Sequence, residues 1–169
     1  GEDNWEDAVQ EEIPVPEELE QSEAMNDGGD AAGDDQVESG SFAELQQMID
    51  ECEESITLQK DYVAGPDDAA LVLGRGYIEI YLNGHIIDRG LAGSDAVEGG
   101  CVFDVNGTTL YLYGPGTITG GNNTGDGGGI YVGSGSFVWL NDGVVISGNK
   151  ADNGAGIYAA ASNTSILMI

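Results

Sequence analysis

Gly127-Gly128-Gly129-Ile130-Tyr131-Val132 returns 27 residues later as Gly154-Ala155-Gly156-Ile157-Tyr158-Ala159. A second phrase keeps almost the same beat. Leu110-Tyr111-Leu112 comes back as Val138-Trp139-Leu140 and then as Ile166-Leu167-Met168, 28 residues on each time. A fixed period of this size marks stacked repeats, in which each unit buries its apolar face only against its neighbours. Three columns align around these phrases. The first joins Ile80, Leu110, Val138 and Ile166, continued two residues on by Leu82, Leu112, Leu140 and Met168. The second joins Phe103, Ile130 and Ile157, continued by Val105, Val132 and Ala159; the third joins Ile87, Ile118 and Ile146. Within each strand the apolar period is two, so these residues share a side. Three strand faces per 27–28 residues predict an all-β fold, a right-handed parallel β-helix. Helical solenoids are ruled out by the density of glycine, 28 in all, and by the two-residue alternation. A β-sandwich would leave the constant period unexplained.

The chain has 169 residues, with 31 acids against 4 bases and a formal charge of -27. Such a field repels nucleic acid phosphates and anionic lipid, so neither is expected as a partner. No apolar run approaches the ~18–20 residues of a membrane span, and no membrane insertion is expected. The high Gly and low Lys/Arg content suits an extended extracellular protein better than a cytosolic enzyme.

Three segments follow. Residues 1–40 carry 15 Asp/Glu and no Lys or Arg, with Pro14 and Pro16. Too little apolar material is present to offset the entropy of ordering, which predicts a disordered acidic linker. Residues 41–53 read as a capping helix: Ser41 is an N-cap with Glu44 three residues on, and Phe42, Leu45, Ile49 and Cys52 fall on one face. Ser55-Ile56-Thr57-Leu58 is a short strand signal. Residues 41–169 are thus the N-terminal cap and first rungs of a β-helix. The face supplied by Ile166-Leu167-Met168-Ile169 is expected to continue into further rungs. Cys52 and Cys101 lie in different elements without CxxC spacing and read as small buried hydrophobes, with a Cys52–Cys101 disulfide the alternative.

The helix through Phe42–Cys52, followed by Ile56-Thr57-Leu58 and Lys60-Asp61-Tyr62, resembles the cap and first coil of secreted bacterial parallel β-helix proteins of pectate-lyase-like fold. Leu82-Asn83-Gly84-His85 looks like the turn common in their first rungs. Gly127-Gly128-Gly129-Ile130 and Ile146-Ser147-Gly148-Asn149 are similar to the GGxI and FxxN pair of polymorphic membrane protein repeats, an adhesin-type family. The resemblance implies a bacterial protein exported to the cell surface. Function varies widely on this fold, from adhesins to polysaccharide lyases and hydrolases.

For the candidate sites, the glycine pairs Gly99-Gly100 and Gly127-Gly128 read as corners, since no Lys-Ser/Thr or helix follows them as a phosphate loop requires. Asn122 and Asn149 are expected at equivalent bends, stacked as a hydrogen-bonding ladder. Asp126 and Asp152, near Asn123 and Asn153, could gather oxygen ligands for calcium, but the regular GGxGxD repeat is missing. No metal or cofactor is therefore expected, with calcium the alternative. Catalysis by paired carboxylates would need convergent acids, whereas Asp88, Asp104 and Asp142 fall on different faces or turns. His85 reads as a solvent-facing turn residue, and Arg89 matches no rung partner. If Ile80, Leu110 and Val138 point inward, then Tyr81, Tyr111 and Trp139 point outward as an aromatic strip, with Leu167 beyond. Such a strip could hold a glycan or a host-surface protein. The reading is a noncatalytic extracellular adhesion or binding module. Its alternative is the capped first part of a polysaccharide lyase or glycoside hydrolase with catalytic rungs elsewhere.

Overall fold

The computed structural model describes residues 38–74, 76–160 and 164–169. The acidic linker expected over residues 1–40 lies almost entirely outside them. Helix α1 (Phe42–Glu51) starts where Ser41, in extended conformation, accepts the Glu44 N–H on its Oγ at 3.1 Å. Glu44 suits the positive end of the helix dipole and also meets Lys60 at 3.0 Å. Phe42, Leu45 and Ile49 form the buried face.

The remaining strands form three all-parallel sheets. Sheet 1 stacks β1 (Gly40–Ser41), β3 (Tyr62–Val63), β6 (Ile86–Asp88), β9 (Gly116–Thr119) and β12 (Val144–Ile146). Sheet 2 stacks β4 (Leu71–Leu73), β7 (Phe103–Val105), β10 (Ile130–Val132) and β13 (Ile157–Ala159). Sheet 3 stacks β2 (Ser55–Thr57), β5 (Tyr77–Tyr81), β8 (Thr109–Tyr113), β11 (Phe137–Leu140) and β14 (Ser165–Met168). The chain visits sheets 3, 1 and 2 in turn, which makes a parallel β-solenoid of about four turns. Helix α1 packs against β1, β3 and β4 and lids one end of the stack. β1 moves the start of the folded unit one residue earlier than expected: Gly40 is buried and its N–H donates to the Asp61 carbonyl at 2.8 Å.

The second and third columns are present as expected, extended by Leu71 and Leu73 in sheet 2 and by Tyr62 in sheet 1. The first column is shifted. Ile78, not Ile80, lies opposite Leu110, while Ile80 lies opposite Leu112 and Ile56. The rung from Ile78 to Leu110 therefore takes 32 residues, that from Ile56 to Ile80 takes 24, and the 28-residue period holds only from Leu110 to Val138 to Ile166.

One corner accounts for this. From sheet 1 to sheet 2 the chain takes 9 residues between Tyr62 and Leu71, 16 between Ile87 and Phe103, 12 between Ile118 and Ile130 and 11 between Ile146 and Ile157. From sheet 3 to sheet 1 the same count is 6 from Ile56 to Tyr62, 7 from Ile80 to Ile87, and 6 again from Leu112 to Ile118. The longest corner is the loop between Arg89 and Cys101, pinned to the next rung by Leu91 N–H to Gly120 O at 2.8 Å and Val97 N–H to Asn122 O at 3.0 Å.

Two glycines show what the turns demand. Asn83 and Gly84, at φ 52° and 86°, form the left-handed pair of a tight turn closed by His85 N–H to Leu82 O at 2.9 Å. At Gly128 a Cβ would sit 2.4 Å from the Ala155 carbonyl oxygen and 2.5 Å from that of Lys150, so the corner closes only without a side chain. The expected asparagine ladder does not form, because Asn122 lies opposite Lys150 rather than Asn149. Each asparagine instead serves backbone. Asn149 Oδ1 accepts the Gly121 N–H at 2.9 Å, and the Asn122 amide donates to Ser94 O at 2.8 Å.

Candidate functional site

The strands of sheet 3 alternate. Ile78, Ile80, Leu110, Leu112, Val138 and Leu140 are buried in the core, which turns the residues between them outward. Register then sorts the outward residues into three columns. Tyr77, Thr109, Phe137 and Ser165 form one; Glu79, Tyr111, Trp139 and Leu167 form the next; Thr57, Tyr81 and Tyr113 form the third. The predicted trio is therefore split. Tyr111 and Trp139 are neighbours, with ring centroids 5.7 Å apart and tilted by 34°, but Tyr81 lies opposite Tyr113. The two-residue register shift of the long rung is the cause.

The aromatic face is wider than a strip. Tyr81 and Tyr113 stack nearly parallel, 4.4 Å apart at 8°, so each occupies a ring face of the other. Such contacts contribute about 0.5–1.5 kcal/mol beyond area burial, and here they brace neighbouring rungs. Tyr77 meets Tyr111 edge-on at 6.2 Å and 88°. Phe137 is 44% exposed, with the small side chains of Thr109 and Ser165 above and below it. Tyr77, Tyr113, Phe137 and Glu79 were not singled out from sequence. The same alternation, carried two residues further along each strand, places all four on this face.

Glu79 brings the charge. Tyr81 donates its hydroxyl to Glu79 Oε2 at 3.1 Å. That hydrogen bond, followed by desolvation and the Glu79 charge, raises the Tyr81 pKa above the ordinary phenol value. Desolvation first, and then the Glu79 charge, raises that of Tyr113. Both phenols stay neutral at neutral pH.

No protein-family model, curated protein or solved structure matches this chain.

The other singled-out residues scatter. His85 is not simply solvent-facing: it is half-buried, with Nδ1 3.1 Å from Asp61 Oδ1, an oxygen that also accepts the Ile86 N–H. Arg89 points inward and is 4% exposed. Its Nε and Nη1 are without hydrogen-bond partners, and the guanidinium lies 6.0 Å from the centre of the Phe42 ring. Burial lowers its pKa against the opposing influence of Cys101 and Asp68. Asp88 lies in sheet 1, Asp104 in sheet 2 and Asp142 in the turn after β11, so these acids do not converge. Burial raises the Asp104 pKa, and its carboxylate accepts the Asn106 amide. Asp126 accepts the Asn153 amide at 2.8 Å, whereas Asp152 joins the neighbouring turn through its backbone N–H, which donates to Gly125 O at 2.9 Å. Among the described residues no three His, Cys, Asp or Glu side chains gather as a metal cage, and no helix is long and apolar enough to cross a membrane. Cys52 and Cys101 are both free thiols, and burial pushes the Cys101 pKa up to about 11.

Proposed function

We propose that this solenoid is a noncatalytic binding module that presents the outward face of sheet 3 to a partner, a glycan or a protein at a cell surface. One observation carries the reading. Aromatic side chains occupy three adjoining columns of a parallel sheet, and Tyr77 at 48%, Tyr81 at 37% and Phe137 at 44% remain exposed. Solvent-exposed aromatics gathered on one face, rather than scattered, mark an interaction surface, and aromatic anchors supply much of the energy of such contacts. The exported, surface-displayed setting belongs to the same reading and rests on the resemblance of the cap and the GGxI phrases.

The test compares Trp139→Ala and Phe137→Ala with the unaltered chain on glycan and cell-surface protein arrays, with circular dichroism to show that both variants keep their fold. Each should weaken binding by roughly 1–3 kcal/mol. Equal binding by both folded variants would remove this face from the function.

A further inference from the structure

We propose that the occupant of the sheet 3 face is a basic, extended peptide with Lys or Arg at alternate positions. The inference rests on the binding-module reading and adds the chemistry of the partner. Three features of the face carry it.

The first is charge. Glu79 is the one ionisable carboxylate among the outward residues of β2, β5, β8, β11 and β14, and none of these strands contains Lys or Arg. Tyr77 also borders a groove of about 650 Å³ between the end of α1 and β4–β5, whose lining includes Asp50, Glu51 and Glu53. Face and groove are continuous through Tyr77, and among the described residues their charged side chains have the same sign; Arg75, between Gly74 and Gly76 of the lining, lies outside the described residues. An anionic ligand is repelled at both, and a cation is drawn along them.

The second is how the rings stand. The Tyr81–Tyr113 pair closes one face of each ring against the other, which removes those two faces as a platform for a sugar ring. Phe137, 44% exposed between the small side chains of Thr109 and Ser165, leaves ring surface for a cation to approach. Glu79 lies directly opposite Tyr111 in the same column, so the carboxylate and the ring faces can share one guanidinium or ammonium group.

The third is spacing. Outward residues recur every second position, roughly 6.6 Å apart along each strand. An extended peptide laid along the strands presents alternate side chains at that same interval, so every second residue falls on the next column.

The experiment uses fluorescence anisotropy with the full chain and a labelled peptide that alternates Arg with Ser. Its partners are the same peptide with citrulline, which keeps the shape and removes the charge, and a neutral chitin oligosaccharide. Glu79→Gln and Trp139→Ala should each weaken binding of the Arg peptide about tenfold. Asp95→Asn, in the loop between sheets 1 and 2, removes one charge away from the face and should leave binding unchanged. The citrulline peptide should bind about tenfold more weakly than the Arg peptide, and the gap should narrow with added salt. Equal losses from Asp95→Asn and Glu79→Gln would mean a diffuse field and would overturn the proposal, as would equal binding of the two peptides or no binding of the Arg peptide. Capture of the oligosaccharide, lost on Trp139→Ala, with no capture of the Arg peptide would keep the binding module and reject the basic occupant.

Discussion

Leu110 and Tyr111 are adjacent in β8 and face opposite ways, and the contrast between their columns shows how this molecule divides stability from recognition. The inward column of Ile78, Leu110 and Val138 is buried. The outward column beside it runs Glu79, Tyr111, Trp139, Leu167 and mixes a charge, two aromatic rings and an aliphatic chain. Inside a solenoid each rung must match the volume of the one below, so like residues stack on like. Outside, backbone pairing already sets the spacing and the side chains are free to differ. Partner chemistry can be written there without unsettling the stack.

The largest way to test that division is Leu110→Ala. It should cost about 2–5 kcal/mol, read as a drop in the denaturation midpoint with little change in slope. A cost under about 1 kcal/mol would show that the interior is loosely filled and the contrast overdrawn. Arg89 is the exception inside, a buried guanidinium with two unpartnered nitrogens. Arg89→Met fills similar volume without the desolvation penalty and should raise stability by about 1–3 kcal/mol. A loss of stability on thermal melting would mean that the guanidinium is well compensated under Phe42. Tyr111→Ala removes contacts to both Tyr77 and Trp139 and should cost about 0.5–1.5 kcal/mol, less than its inward neighbour. An equal cost would merge the two columns into one structural unit.

The smallest expected effect is alkaline. Tyr81 and Tyr113 have folded-state pKa values raised above the ordinary phenol value. Between the unfolded and folded pKa the unfolded chain has lost the proton and the folded chain still holds it, so stability falls as pH rises. Their contribution is complete below pH ~10 and is lost as pH climbs through the folded values. Glu79→Gln removes the nearby charge and should move the Tyr81 transition, followed by ultraviolet absorbance, back toward lower pH. An unmoved transition would detach Glu79 from Tyr81.

The sheets were legible in the sequence because burial imposes a period of two along each strand and because, from Phe103 onward, the rungs repeat every 27 or 28 residues. The helix was legible because Ser41, Glu44 and the apolar face at Phe42, Leu45 and Ile49 agree with one another. The register of β5 was not. Ile78 and Ile80 are both apolar and of the same parity, so the hydrophobic pattern accepts either opposite Leu110, and only the length of the corner between β6 and β7 decides between them. That error split Tyr81 from Tyr111 and hid the Tyr81–Tyr113 stack. β1 and β3, with two residues each, are too short to carry any period. The inward position of Arg89 follows from the parity of Ile87, but a charge in that place reads as exposed until the rung is closed around it.

The uneven corner between sheets 1 and 2 makes the solenoid a tolerant chassis. Chain lengths of 9, 16, 12 and 11 residues pass through one place while the sheets on either side keep their register. Foreign sequence grafted between Leu91 and Val97 would leave from a point that already absorbs such differences, with the hydrogen bonds of those two residues as its clamps. The same cargo placed between sheets 3 and 1, where six or seven residues are used every time, would force the stack apart.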